Sequence, residues 1–392
     1  MVPALAIDGG PGEGREDAVP AEARPGGDSG LPGHRPVLLE RVVDALAHPG
    51  PGLVIDATLG AGGHAAALLE RCGSLRLLGL DRDADALALA RERLAPYRDR
   101  VVLRRAQFDR LGELAADARG PDEAVVGVLL DLGVSSMQLD RADRGFSLRR
   151  DGPLDMRMGS GEGTTAADLL DRIDVADLVR LLREGGEDRH ARRIADAIVR
   201  ARPLATTRQL AEVVAAAVPA RARGGATHPA TRTFQALRIA VNDELGQLRR
   251  ALPQALSLLA RPSDDPAGRG GRLVVLTYHS LEDRPVKRLL ADAARGCICP
   301  PDLPVCGCGR EPALVREPAG GRTPTEDEVG TNPRARSARL RVGHRTDAAL
   351  PPEVVPPLDQ RPSRGSEDPT DPTNPVDPDD PVDPGDPDDE VP

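Results

Sequence analysis

The stretch Val54-Ile55-Asp56-Ala57-Thr58-Leu59-Gly60-Ala61-Gly62-Gly63-His64 decides how this chain is read. With Leu53, its first residues make a short apolar run that suits a strand covered on both faces. The small residues that follow let the backbone approach a ligand closely. His64 then starts a helix whose first N–H groups are free to meet that ligand.

Downstream, residues 75–80 read as a second strand, 84–94 as a helix, 101–103 as a third strand and 124–130 as a fourth. Strands alternating with helices predict a parallel sheet covered on both faces, a Rossmann-like α/β fold. Asp81 ends the second strand about 20 residues past the turn, where a carboxylate accepts both hydroxyls of a ribose. The pair points to a nucleoside cofactor, NAD or S-adenosylmethionine, without choosing between them. Asp131 closes the fourth strand, so Asp56, Asp81 and Asp131 all stand at carboxyl ends of strands, where open α/β sheets bind ligands. Three carboxylates suit a cation such as a sulfonium better than a pyrophosphate. A nicotinamide oxidoreductase predicts Gly-x-Gly-x-x-Gly, yet residue 65 is Ala and Thr58 stands early in the turn. A non-catalytic ribosome-binding protein with a vestigial cofactor fold predicts loss of the strand-end carboxylates, and all three remain.

The alternation stops after Asp131. Thr165-Ala-Ala-Asp168 and Thr206-Thr-Arg-Gln209 read as capping boxes, and Asp174 as a helix cap. Ala191, Ile194, Ala195 and Ile198 share one helical face. Residues 145–226 are therefore expected to form an all-helical insertion. Phe234, Leu237, Val241, Leu245 and Leu248 then recur at helical spacing, residues 273–276 read as a strand, and residues 338–342 as a late antiparallel strand.

Both ends differ in composition. Residues 1–33 are rich in Gly, Pro, Asp and Glu, and residues 346–392 carry an Asp-Pro repeat; both are expected to be disordered. The last 42 residues hold 13 Asp+Glu against two Arg, so the acidic net charge of −10 belongs to the tail and the rest is nearly neutral. An acidic total thus does not exclude an RNA partner. Basic residues are 51 Arg and one Lys, Lys287. High-GC codon usage accounts for that ratio, so Arg abundance says little about nucleic acid. No apolar run reaches the roughly 20 residues that span a bilayer. No secretory signal is recognisable, and a cytoplasmic protein without a membrane partner is expected.

Several segments go beyond a generic fold: Gly60-Ala-Gly-Gly-His64, Asp81-Arg-Asp83, Leu130-Asp-Leu-Gly-Val-Ser-Ser136, Asp151-Gly-Pro-Leu-Asp-Met-Arg157, His228-Pro-Ala-Thr-Arg-Thr-Phe-Gln235, His279-Ser-Leu-Glu-Asp-Arg284 and Asn332-Pro-Arg-Ala-Arg-Ser337. In this order, over residues 34–345, the chain resembles the bacterial 16S rRNA cytosine-N4 methyltransferases, the RsmH or MraW family. The resemblance implies S-adenosylmethionine as donor. It implies as acceptor N4 of a cytidine near the decoding centre of 16S rRNA, within the 30S subunit. It also implies a class I methyltransferase sheet in two parts, 34–144 and 227–345, around a helical substrate-recognition domain at 145–226. The family's cofactor positions fall on Gly62, Gly63, His64, Asp81, Phe108, Asp131 and Gln138. Tyr278 departs from the family's usual Phe by one hydroxyl.

Methylating an exocyclic amine requires acceptors for its N–H hydrogens, since the nitrogen lone pair is delocalised into the ring. Candidates are Asp131, Ser135, Ser136, Asn242, His279 and Glu282, with the 131–136 segment favoured for the amine and His279 for the base. Phe146 and Tyr278 are the candidate stacking platforms. Arg149, Arg150, Arg157, Arg232, Arg334 and Arg336 are the candidate phosphate contacts. Cys297-x-Cys299 and Cys306-x-Cys308 lie six residues apart, a spacing at which four thiolates can bind one structural Zn²⁺ and free surface thiols are the alternative.

Overall fold

In a computed structural model, residues 36–159, 161, 163–187, 189–219, 228–301, 303–317 and 323–354 are described. The expected disordered extension at 1–33 and the repeat from 355 onward lie outside them.

The strands are β1 (Gly52–Asp56), β2 (Leu75–Asp81), β3 (Val101–Arg105), β4 (Val125–Asp131), β5 (Arg272–Thr277), β6 (Leu314–Arg316) and β7 (Arg339–Arg345). They form one sheet in the order β3-β2-β1-β4-β5-β7-β6. The first five strands are parallel. β7 is antiparallel to β5, as expected, and β6 is antiparallel to β7. The strand β6 escapes sequence reading because it is three residues long and buries only Leu314. The chain first adds strands on one side of β1, then crosses to β4 on the other. That reversal opens a crevice at the carboxyl ends of β1 and β4.

Helices cover both faces. The first are α1 (Leu39–Leu46), α2 (Gly63–Arg71), α3 (Ala84–Arg93) and α4 (Leu111–Ala118), followed by the short α5 (Ser136–Asp140). Val54, Leu77, Leu129 and Val274 pack under α1 to α3. Their strand neighbours Leu53, Ile55, Leu78, Val128 and Val275 point to the other face. Both faces being dry, these strands read as continuous apolar runs rather than alternating ones.

The helical segment holds α6 (Ala166–Arg172), α7 (Val175–Glu184), α8 (Ala191–Arg200) and α9 (Thr207–Ala217). Both expected capping boxes are present, at Thr165 and Thr206, and Asp174 caps α7. Ala191, Ile194, Ala195 and Ile198 are fully buried in a third core. That core does not stop at 226. α10 (Thr231–Asn242) contributes Phe234 and Leu237 to it, whereas Leu248 of α11 (Glu244–Leu258) packs on the sheet. The continuous helical spacing across 234–248 is two helices. Asp243 takes a left-handed conformation (φ 49°) between them and redirects the chain from one core to the other.

α12 (Ser280–Ala293) and α13 (Glu326–Thr331) complete the fold. The expected tail boundary at 346 also moves. Val354 is buried, Leu350 packs on the sheet core, and the Arg345 guanidinium donates to the carbonyls of Ala313, Thr346 and Ala348. No helix among the described residues is long and apolar enough to cross a membrane.

Candidate active site at the carboxyl ends of the strands

The turn after β1 is stitched to the ends of its neighbours. Leu59 N–H donates to the Leu80 carbonyl (2.9 Å), and Gly60 N–H to Asp81 Oδ2 (2.8 Å). Asp131 N–H donates to Thr58 Oγ1 at 2.6 Å. Gly60 (φ 54°) and Gly62 (φ 74°) take left-handed backbone, which favours glycine. A Cβ on Gly60 would meet nothing within 4 Å, so the turn is open there; a Cβ on Gly63 would stand 2.4 Å from Pro36.

The three carboxylates differ in environment. Asp56 is almost fully buried, and desolvation pushes its carboxyl up to about 8, with Asp131 and Asp81 adding to the effect and the Thr58 N–H opposing it. Burial likewise raises Asp81, although its oxygens accept the N–H groups of Asp83 and Gly60. Asp131 Oδ1 accepts the Tyr278 hydroxyl at 2.8 Å, and Oδ2 lies 3.7 Å from His64 Nδ1. Burial, and then the Asp131 carboxylate, raise the Tyr278 phenol and keep it protonated. The Tyr278 hydroxyl thus has a definite partner. His64 Nε2 donates to the Val37 carbonyl (3.0 Å), so in the neutral ring Nδ1 carries the lone pair.

Beside this cleft the start of α12 builds a second network. Glu282 accepts the Tyr278 N–H (2.9 Å), and its Oε1 lies 3.0 Å from His279 Nε2. Arg238 lies 3.3 Å from the same ring nitrogen and forms a bidentate pair with Glu244. Burial alone would raise Glu282; His279, Arg238 and the Tyr278 N–H together hold it below the usual range. His279 Nδ1 is enclosed with no partner among the described residues.

A model of the MraW methylase family matches residues 32–346. The chain belongs to that family. Among curated relatives, the ribosomal RNA small subunit methyltransferase H of Heliobacterium mobile is 50% identical over 319 residues, covering 80% of this chain and 98% of its own. The protein of that name from Symbiobacterium thermophilum is 51% identical over 316 residues, 79% and 95% of the two chains. The one from Thermobifida fusca is 50% identical over 325 residues, 81% and 95%. Membership makes this chain a methyltransferase and removes the oxidoreductase and non-catalytic readings.

Seen as a MraW-family cleft, the expected residues divide. Asp81, Asp131, Tyr278 and the glycine turn come together, and half-buried Phe108 follows β3 on the same edge. Gln138 is present but committed: its amide donates to Asp83 (3.2 Å) and to the Met158 carbonyl, and its oxygen accepts the Ser135 N–H. Asn242 is also committed. It donates to the carbonyls of Met156 (2.7 Å) and Arg238 (2.8 Å) and accepts the Met158 N–H (2.8 Å), so it clamps the 156–158 loop. Both of its donors are spent and its oxygen already serves the loop, and burial closes the amide off from a substrate amine. Phe146 is not a platform, because it is buried in the helical core. Arg157 spends its guanidinium on Asp155 (2.6 and 2.7 Å), and Arg334 on Asp140. Arg149, Arg150, Arg232 and Arg336 are exposed.

Two further residues matter that sequence reading gave no role. Asp83 receives Arg144 (2.9 Å), Gln138 and the Asp85 N–H, joining the β2 end to the start of the helical segment. The Asp81-Arg-Asp83 segment held that signal. Arg238 carried none, since one Arg among 51 is not distinctive.

Proposed function

We propose that this methyltransferase transfers the methyl group of S-adenosylmethionine to the exocyclic N4 of a cytidine in 16S rRNA near the decoding centre, in the cytoplasm and on the 30S particle. One observation carries the reading: Asp56, Asp81 and Asp131 meet at the carboxyl ends of neighbouring strands around an open glycine turn. Desolvated carboxylates are stabilised by a cation, which suits a sulfonium donor and not a pyrophosphate. The names of the relatives at about half identity support rRNA of the small subunit as the substrate class.

When bound, the donor supplies an electrophilic methyl group on positively charged sulfur. The chain supplies alignment, charge and exclusion of water. Asp81 is assigned to the ribose hydroxyls, Phe108 to the adenine, and Gly62, Gly63 and His64 to the lining of the turn. Asp131 is assigned to the cytidine amine: Tyr278 holds its Oδ1, so the carboxylate is fixed when it accepts an N–H hydrogen. His279 is a positioning residue acting through Glu282 and the Tyr278 backbone. The helical segment from 145 to 242 is the RNA-recognition unit, with Arg232 on its exposed face and Arg336 nearby in sequence to the other arginines of 334–341.

The test is mass spectrometry of 16S rRNA fragments after incubating 30S particles, and separately free 16S rRNA, with the enzyme and isotope-labelled donor. Label on N4 of one cytidine is the expected result. Label on a ring carbon or a ribose hydroxyl, or no label on either substrate with folded enzyme, overturns the assignment.

A further inference from the structure

The loop between α12 and β6 stands apart from the cleft, and the methyl-transfer chemistry makes no use of it. Its base is closed by ordinary hydrogen bonds. Ala313 N–H donates to the Ala293 carbonyl (2.9 Å), and Arg310 reaches the carbonyls of Arg295 and Asp292 and the Glu353 carboxylate. Among the described residues, the large apolar side chains of its tip face solvent: Ile298 is 56% exposed, Leu303 48% and Val305 75%. The side chains that converge are the sulfurs, on residues that are themselves exposed or half-buried. Cys297, Cys299, Cys306 and Cys308 place all four Sγ atoms within 4.8 Å of one another. Cys297 and Cys306 are 3.3 Å apart, Cys306 and Cys308 3.5 Å, and Cys308 and Cys297 3.7 Å.

We propose that these four cysteines form a tetrahedral tetrathiolate zinc site that holds the loop in place of a hydrophobic core. Zn–S bonds of about 2.3 Å put tetrahedral sulfurs about 3.8 Å apart, close to the spacing observed. Two disulfides would require S–S contacts near 2 Å in two separate pairs, and the sulfurs instead share one centre. One backbone group also faces the cluster: Cys299 N–H points to Cys297 Sγ at 3.4 Å. Gly309 takes φ 57°, allowing the chain to turn directly after the last cysteine. The ligand set favours zinc among common divalent ions, since four soft thiolates match neither magnesium nor calcium.

Position defines the role. Leu314 pairs with Arg345, level with the start of β5, so the loop lies at the amino ends of the parallel strands. The reacting groups lie at the carboxyl ends. The metal therefore acts on the fold, pinning the far end of α12 to the edge strand β6, and takes no part in the transfer.

The full chain, purified under reducing conditions without chelator, is expected to carry one zinc per molecule through gel filtration. Cobalt substitution is expected to give the visible bands of a tetrahedral thiolate complex. Chelation, or the paired change Cys306→Ser and Cys308→Ser, is expected to lower the thermal midpoint while methylation at low temperature persists. Zinc well below one per chain after reconstitution of folded protein overturns the site, with or without disulfides in the intact mass. So does iron in place of zinc. Zinc retained in full by the doubly substituted variant also overturns it. Loss of methylation with normal zinc content would concern only the function proposed above.

Discussion

Binding of the cationic donor at pH 7 is expected to expel about 0.8 proton per molecule bound. The group responsible is Asp56, whose carboxyl burial pushes up to about 8, with Asp131 and Asp81 nearby adding to the rise. At pH 7 such a group is about nine tenths protonated. A positive charge entering between the three carboxylates favours ionisation, and a fall to about 6 leaves Asp56 about nine tenths charged at pH 7. Release is then about 0.8 proton at pH 7 and about 0.1 at pH 9, where the free enzyme is already ionised. Titration calorimetry in two buffers of contrasting ionisation enthalpy, phosphate and Tris, measures this number from the difference in apparent heat. Asp56→Asn is expected to abolish the buffer dependence. The same group sets a stability trend. Its folded value lies above the ordinary one of 3.8, so its contribution is intact below about pH 4 and is lost as pH rises to about 8. Asp56→Asn should flatten that slope in thermal melts. Equal heats in the two buffers at pH 7, with the wild-type enzyme saturated, would refute the reasoning.

Other expectations follow from the same geometry. Glu282→Gln neutralises the carboxylate beside His279 at a buried site while Arg238 keeps Glu244, and a loss of about 1–3 kcal/mol in denaturant unfolding at neutral pH is expected. Because Glu282 is held below its ordinary value of 4.5, its stabilisation is present above that value and is lost as pH falls through the depressed one; the variant should lack that acid-side decline. Asn242→Ala frees the 156–158 loop and should cost about 2–3 kcal/mol, read in the same assay, with no change in the pH dependence of methylation. Arg232→Ala and Arg336→Ala, at exposed guanidiniums, should each weaken rRNA binding and reduce the slope of log affinity against log salt by about 1. Arg157→Ala should leave that slope unchanged and lower thermal stability, because its guanidinium is spent on Asp155.

Much of the fold is written locally. The strands β1, β2, β4 and β5 were legible because strands dry on both faces need unbroken apolar runs, and the helix starts at Thr165, Asp174 and Thr206 because a capping residue and its partner lie three positions apart. The Gly60 to Gly62 turn and the strand-end positions of Asp56, Asp81 and Asp131 follow from the same short-range rules. The tertiary structure decided what those groups have left to offer. Gln138, Asn242, Phe146 and Arg157 have the right chemistry for a site, yet each is spent on neighbours or buried in a core. The contacts that settle a site cross long stretches of chain: 147 residues separate Tyr278 from Asp131, and 86 separate Asn242 from Met156. Likewise no periodicity announces the left-handed turn at Asp243, which moves the end of the helical unit from 226 to 242. Residue type states what a side chain can bind; burial and hydrogen-bond saturation, set by groups far apart in sequence, state whether it is free to do so.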